Sequence, residues 1–93
     1  MNEALDNATQ LLKVMAEKTR LSILYHLIDN EISVSGLCEL LSQEQSVVSH
    51  HLFKLRSGRL VKTRRDGKNV LYSLSDDHVK TLVQQALEHA QEI

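Results

Sequence analysis

The chain has 93 residues, a formal net charge of -1, 42% hydrophobic residues and only 3% aromatic residues. This length predicts one domain over residues 1–93, and a domain so small buries only about 60% of the surface that its unfolded chain exposes. A second subunit would therefore add useful core. Abundant aliphatic residues and the absence of proline favour packed helices. A net charge near zero argues against indiscriminate binding to nucleic acid.

Cysteine usage and hydropathy bear on the compartment. The single cysteine, Cys38, excludes an intramolecular disulfide and fits a reducing environment. No apolar run is long enough to span a bilayer, and the first residues lack the basic start and apolar core of a signal peptide. We therefore expect a cytoplasmic protein without a membrane partner.

Two helices are predicted in the first third of the chain. The first carries apolar residues at helical spacing: Ala4, Leu5, Ala8, Leu11, Leu12 and Met15. Thr19 can cap a second helix, which ends at Asp29-Asn30. Its inward residues are predicted to be Leu21, Leu24, Leu27 and Ile28. His26 lies among them and is interpreted as a packing residue, because no second ligand type is nearby in sequence.

Two more helices follow closely. Residues 33–41 predict a short helix with Val34, Leu37, Cys38 and Leu41 on its apolar side, so Cys38 is interpreted as a core residue. After a break at residues 42–44, a helix begins near Gln45. It places Val48, Leu52 and Leu55 on one stripe and Ser46, Ser49 and His50 on the other side.

The polar side of this helix carries hydrogen-bonding groups and no carboxylate. Such a face suits the major groove of DNA, where hydroxyls and amides pair with base edges and a helix N-terminus favours phosphate. It equally suits water, because amphipathic helices with polar outer faces are common. Two short helices joined tightly, the second with a polar face, predict a helix-turn-helix.

A basic hairpin is predicted next. Residues 60–65 and 68–74 are rich in strand formers and flank Asp66-Gly67, a pair suited to a two-residue turn. Between residues 54 and 68 there is one acid, Asp66. The same stretch contains seven basic residues: Lys54, Arg56, Arg59, Lys62, Arg64, Arg65 and Lys68. A helix-turn-helix followed by a basic hairpin predicts a winged helix, mainly α with a β-hairpin wing. Arg65 and Lys68, near the tip, are candidates for phosphate contacts.

The last segment, from about Ser75, predicts a helix with an apolar stripe. The stripe consists of Val79, Leu82, Val83, Ala86, Ala90 and Ile93. Because no later element covers it, we expect the helix to pair with its copy in a homodimer.

A candidate metal site lies beside this stripe, in Asp76, His78, His89 and Glu92. Eleven residues of helix separate the two histidines by about 16 Å, so one helix cannot gather both around one ion. Two antiparallel helices can bring Asp76 and His78 of one chain to His89 and Glu92 of the other. Two imidazoles and two carboxylates satisfy a tetrahedral zinc shell, and they also suit cobalt or nickel. The alternative is that the four residues merely decorate the exposed edge of a dimer helix.

Over residues 11–92 the chain resembles the ArsR/SmtB family of metal-sensing winged-helix repressors. The resemblance rests on residues 15–24, on residues 45–52, on Gly67 and on residues 72–74. Asp76, His78, His89 and Glu92 match in type and spacing the interfacial zinc ligands of the zinc-sensing branch. Residues 33–35, Ser-Val-Ser, fall where the arsenic, lead and cadmium sensors carry Cys-Val-Cys, so that thiolate site is absent.

The resemblance implies a homodimer that binds a palindromic DNA operator without metal and releases it when zinc binds between the C-terminal helices. Genes for zinc export or sequestration would then be derepressed. Gln45, Ser46, Ser49 and His50 correspond to contacts with bases and phosphates. Two positions depart from the family pattern. Glu44 stands where a Ser or Thr cap is usual, and Phe53 stands where a basic residue is frequent.

Other functions stay open or are disfavoured. A regulator of the same family that answers a redox or persulfide signal at Cys38, or a protein partner, is the main alternative. A zinc buffer without DNA binding does not explain the basic hairpin. An enzyme acting on a small organic substrate is disfavoured, because a closed four-ligand site leaves no position for substrate and no nucleophile has a neighbouring base.

Overall fold

The computed structural model describes residues 2–93 as five helices and three short strands. The elements are α1 (Asn2–Met15), α2 (Lys18–His26), β1 (Ile32–Ser33), α3 (Val34–Leu41), α4 (Gln45–Ser57), β2 (Val61–Asp66), β3 (Asn69–Leu74) and α5 (Asp77–Gln91). This arrangement confirms the predicted mainly helical fold with a hairpin wing. None of the helices within residues 2–93 is long and apolar enough to cross a membrane.

One apolar core holds the elements together. Its buried residues are Met15, Ile23, Leu24, Leu27, Leu37, Val48, Leu52, Leu55, Leu60, Val61, Val79 and Val83. Every helix contributes to it, and the wing joins it through Leu60 and Val61. Of the inward residues predicted for α2, Leu24 and Leu27 are buried, whereas Leu21 and Ile28 are half-buried. Ile23, which the periodicity did not assign to the core, is fully buried.

The start of α2 differs from the prediction. Glu17 occupies the cap position, and its Oε1 accepts a hydrogen bond from the Arg20 backbone N–H at 2.8 Å. Thr19 therefore lies inside the first turn, and its prediction as the cap was wrong. The longer Glu17 side chain folds back onto an amide that would otherwise lack a partner. The helix ends at His26, and Asp29, at a φ of 60°, turns the chain away.

The sheet contains a strand that was not predicted. Its order is β1-β3-β2, and β1 pairs Ile32 with Tyr72 and Ser33 with Leu71. Ser33 also caps α3, because its Oγ accepts a hydrogen bond from the Gly36 N–H at 3.2 Å. The third helix thus begins at Val34 and not at Ser33.

The wing turn is one residue later than predicted. Asp66 pairs with Asn69 across the hairpin, so the turn residues are Gly67 and Lys68 and not Asp66 and Gly67. Gly67 has a φ of 63°, in the left-handed region. Glycine adopts this conformation without strain, so it suits the first position of the turn, and Asp66 remains in the strand.

Candidate recognition helix and metal centre

Helix α4 begins at Gln45, as predicted, and has two distinct sides. Val48, Leu52 and Leu55 are at most 1% exposed. The predicted DNA-contacting residues of this helix are all exposed: Gln45, Ser46, Ser49 and His50. The core contacts of α4 therefore leave this polar side open to a ligand.

The N-terminus of α4 lacks a side-chain cap. Glu44 has the extended backbone of a cap residue, with φ -69° and ψ 152°, but its carboxylate accepts no capping hydrogen bond. The Val47 and Val48 N–H groups donate to the Glu44 carbonyl, whereas those of Gln45 and Ser46 are left to solvent or to a ligand oxygen.

A polar cluster ties α4 to the corner between α1 and α2. The Arg20 Nε donates to the Val14 carbonyl at 2.6 Å, and its Nη1 lies 3.2 Å from the His51 Nδ1. Glu17 Oε1 lies 3.8 Å from the same imidazole nitrogen. Since arginine can only donate, His51 accepts at Nδ1 and is neutral in this arrangement.

The charge states in this cluster follow from its surroundings. Burial lowers the pKa of His51 below its ordinary value of 6.5, and the nearby Glu17 only partly opposes this. The backbone N–H of Arg20 lowers the pKa of Glu17. Sequence reasoning missed this cluster, although Arg20 lies in the segment that carries the family resemblance.

The basic wing is exposed, and one of its arginines is held by an acid. Arg64 makes two hydrogen bonds to Glu31, of 2.7 and 2.8 Å, and this contact lowers the pKa of Glu31. Of the seven basic residues from Lys54 to Lys68, Arg64 alone lies within 4.0 Å of a carboxylate in residues 2–93. Arg65 and Lys68 are exposed near the wing tip and give it positive charge.

A second ion pair involves the loop that carries Glu31. Asp29 Oδ1 lies 2.7 Å from the Lys80 Nζ of α5. The loop from Asp29 to Glu31 thus contacts α5 at one end and, through Arg64, the wing at the other. Neither pair was predicted, because the partners are far apart in sequence and no local pattern links them.

Two of the four predicted metal ligands lie together at the start of α5. Asp76 is its N-cap, with Oδ1 accepting from the Val79 N–H at 3.1 Å and lying 3.6 Å from the His78 Nδ1. The Val79 N–H, with a smaller contribution from His78, holds the pKa of Asp76 below its usual range. The carboxylate is therefore ionised at neutral pH, and the His78 side chain is 98% exposed.

The other two predicted ligands, His89 and Glu92, are exposed at the far end of the helix. Within residues 2–93 of a single chain, no three His, Cys, Asp or Glu side chains come together as a metal site. The residues nevertheless fit zinc by type, with two imidazoles and two carboxylates. In one chain they form two half-sets, Asp76 with His78 and His89 with Glu92, at opposite ends of α5.

The outer side of α5 is only partly covered by residues 2–93, and at its start Asp76, His78 and Leu82 line a groove shared with α1 and α4. Leu82 is half-buried, whereas Ala86, Ala90 and Ile93 are exposed. The helix contacts α2 and β3 on its other side. This exposed stripe is suited to pairing with a second copy.

Known proteins resemble the chain in sequence. Residues 17–63 match the family described as bacterial regulatory protein, arsR family. The regulator KmtR of Mycobacterium tuberculosis is 42% identical over 82 residues, which cover 88% of this chain and 63% of KmtR. A transcriptional repressor SmtB homolog of Synechocystis is 41% identical over 92 residues, covering 96% of this chain and 70% of the homolog. The chain thus spans about two thirds of the length of these relatives.

Solved structures share the fold. HlyU of Vibrio cholerae is 42% identical with a TM-score of 0.87, and the match covers 92% of this chain and 94% of HlyU. The homodimeric winged helix-turn-helix DNA-binding domain of Mb0332 from Mycobacterium bovis is 28% identical with a TM-score of 0.90, over 98% of this chain and 84% of that domain. The chain belongs to the arsR family of bacterial regulatory proteins and is a winged-helix transcriptional regulator, not an enzyme.

Proposed function

We propose that two copies of the chain form a repressor that binds a palindromic DNA operator without metal and releases it when zinc binds between the two α5 helices. Genes for zinc export or sequestration are then transcribed. The observation that carries this proposal is the pairing of Asp76 with His78 at one end of an exposed α5 face. The opposite end of that face carries the complementary half-set, His89 and Glu92.

In this proposal α4 is the recognition helix. Gln45, Ser46, Ser49 and His50 form its exposed polar side and contact base edges and phosphates in the major groove. Arg65 and Lys68 of the wing contact the DNA backbone, which positions the subunit without selecting a sequence. The absence of any acid from Gln45 to Arg65 agrees with a DNA-facing surface.

The metal ligands come from both subunits. Antiparallel pairing of α5 brings Asp76 and His78 of one protomer to His89 and Glu92 of its partner, and the two-fold axis creates a second, identical site. A bound zinc ion supplies a divalent charge that these four ligands share, and cobalt or nickel suits the same donors. Asp76 is ionised at neutral pH, which is the charge state that a metal ligand requires.

The coupling to DNA acts through the placement of the two recognition helices. The half-sites of a dimer are about 34–36 Å apart, so a small change in the angle between subunits misplaces one helix. The charge pairs Lys80–Asp29 and Arg64–Glu31 support this mechanism, because they connect α5 to the wing through one loop. A typical coupling free energy of about 1–3 kcal/mol corresponds to roughly 5- to 150-fold in operator affinity.

Zinc titration of a DNA complex tests the proposal. The probe is a fluorescent duplex selected by the protein from random-sequence DNA, and its anisotropy reports binding. Zinc is expected to weaken binding by the wild-type dimer at least about fivefold. His89→Gln is expected to abolish this response while the affinity of the metal-free protein stays unchanged.

Glu88→Gln is the matched control, because Glu88 is the exposed neighbour of His89 on α5 and lies outside the ligand set. This variant should respond to zinc like the wild type. Equal wild-type affinity with and without zinc would contradict the proposal. So would loss of the response in Glu88→Gln, since charge on the helix, and not the ligand set, would then explain it.

The partial exposure of Cys38 supports a second candidate, a regulator that responds to thiol chemistry. Cys38 is half-buried on α3, at the edge of the core, so a small oxidant or persulfide can reach it from solvent. This candidate predicts that oxidant weakens DNA binding, that Cys38→Ser prevents the effect and that zinc has none.

A further inference from the structure

Phe53 is an exposed aromatic residue on the recognition helix. It is the one phenylalanine of the chain, and it is 71% exposed. Burying a phenyl side chain is one of the larger single contributions to the stability of a folded protein. Because most of this contribution is absent here, the stability of the folded chain does not account for a phenylalanine at this position.

Its position on α4 places Phe53 on the polar side. It follows Ser49 by four residues and His50 by three, which puts all three on one side of the helix. Ser46, two turns before Phe53, lies within about 20° of it around the axis. Helical side chains lean toward the N-terminus, so the ring covers the surface over the turn of Ser49 and His50.

The surroundings of the ring are suited to DNA. Lys54 and Arg56 flank it and are exposed, and no acidic residue lies on α4. Positive neighbours favour phosphates on either side of a groove. The ring is continuous with the polar surface already proposed to enter the major groove.

The chemistry of the ring selects one feature of that groove. A phenyl group has no donor or acceptor for the polar atoms of the base edges. The apolar group in the major groove is the C5 methyl of thymine. We infer that Phe53 is a specificity-determining residue that contacts a thymine methyl in each half-site; this inference rests on the proposed function of α4 as a recognition helix.

A competing environment for the ring is protein. Phe53 also borders a groove of about 880 Å³ that is lined by α1 and by Asp76, His78 and Leu82 of α5, on the face proposed to pair between subunits. If a second subunit covered the ring in this groove, thymine methyls would have no effect through Phe53. Removing the thymine methyl group from the DNA distinguishes the two environments, because it affects binding only if the ring contacts DNA.

The test replaces each thymine of a selected duplex in turn by deoxyuridine, which lacks the methyl group. Replacement is made symmetrically in both half-sites, and anisotropy measures the affinity. One buried methyl contributes roughly fourfold in affinity, so the wild-type dimer should lose about 15-fold at one thymine position. Phe53→Ala should bind the thymine and deoxyuridine duplexes equally well.

Leu40→Ala is the matched control, since Leu40 is an exposed apolar residue on α3, the other helix of the pair. It should retain the wild-type preference for thymine. A thermal melt checks that both variants fold. If no thymine position affects the wild type, or if Phe53→Ala keeps the preference, the inference is overturned.

The outcomes also separate this inference from the proposed function. Absence of any sequence-specific binding by the wild type would overturn both. Sequence-specific binding with zinc-dependent release, but without a methyl effect, would overturn the role of Phe53 alone. A methyl effect that depends on Phe53, without zinc-dependent release, would support the role of Phe53 and contradict the metal response.

Discussion

The missing cap of α4 gives a prediction that joins fold stability to DNA binding. Glu44 has the backbone conformation of a cap residue but contributes no side-chain hydrogen bond. The other N-caps that the structure describes, those of α2, α3 and α5, each accept a hydrogen bond from a backbone N–H. Ser33 and Asp76 accept a hydrogen bond from Gly36 and Val79, respectively. Glu44→Asp keeps the negative charge and supplies a side chain of the length that caps α5.

The expected magnitude follows from this comparison. A good N-cap residue typically contributes about 1 kcal/mol relative to a residue without the bond. For a domain of this size, about 1 kcal/mol raises Tm by roughly 4–8 °C. Because the charge at position 44 is unchanged, DNA affinity should change by less than about twofold.

Glu44→Ser separates the two effects. It gains a cap but loses a carboxylate that interacts favourably with the helix N-terminus by about 0.3–1 kcal/mol, so its gain in stability should be smaller. Its DNA affinity should rise by about twofold to threefold per half-site, because a like charge about 7–10 Å from a phosphate costs roughly 0.4–0.6 kcal/mol in water.

Thermal unfolding followed by circular dichroism measures the first effect, and anisotropy at low salt measures the second. If Glu44→Asp does not raise Tm, the missing capping hydrogen bond does not destabilise α4. If Glu44→Asp and Glu44→Ser bind DNA with the same affinity, the N-terminus of α4 does not lie near phosphate.

Three further predictions concern the corner of α1 and α2 and the wing. Arg20→Met should lower the free energy of unfolding by about 1–3 kcal/mol, measured by urea denaturation, because it leaves the Val14 carbonyl without its donor. His51 has a folded-state pKa below 6.5, so the unfolded chain binds the proton more readily, and stability should fall as pH drops through 6.5. His51→Gln should reduce this loss between pH 7.5 and 5.5, and an identical pH profile in the variant would contradict the assignment. Gly67→Ala should cost about 1 kcal/mol in thermal unfolding, because the added Cβ meets no neighbour but strains a φ of 63°. Gly67→Asn should cost less, since asparagine tolerates this region.

Much of the fold follows from local patterns in the sequence. The alternation of apolar and polar residues from Gln45 to Leu55 predicted α4 and its buried side, because one helix period sets both. The strand-forming residues around Gly67 predicted the wing for the same kind of reason. The arsR family match, over residues 17–63, agrees with the resemblance that α4 carries.

Features that depend on distant contacts were not predictable. Strand β1 has two residues, too few for a periodic signal, and forms because Ile32 and Ser33 pair with β3. Glu17, and not Thr19, caps α2, because its longer side chain folds back onto the Arg20 N–H. Residue type alone does not predict this. The turn lies one residue later than predicted. Strand register, and not turn composition alone, decides which residue takes the left-handed position.

The candidate site also has some features that follow from local sequence and others that depend on the folded chain. Helix spacing predicts that one helix cannot gather both histidines around one ion, because about 16 Å of helix lies between them. The proximity of Asp76 to His78 depends on the cap conformation, which spacing does not determine. The Arg20–His51 and Asp29–Lys80 contacts join residues 31 and 51 positions apart, so only the folded chain reveals them.

The central claim is that each zinc site combines Asp76 and His78 of one subunit with His89 and Glu92 of the other. Mixing two defective variants tests it most directly, with zinc stoichiometry as the measurement. His78→Ala and His89→Ala homodimers should each lack a complete ligand set and bind zinc weakly. After subunit exchange, each mixed dimer should regain one intact site, because both substitutions then fall in one of its two sites and the other site contains neither. Recovery of about one tightly bound zinc per mixed dimer is the predicted result, and a mixture that binds no more zinc than the separate variants would contradict the shared site.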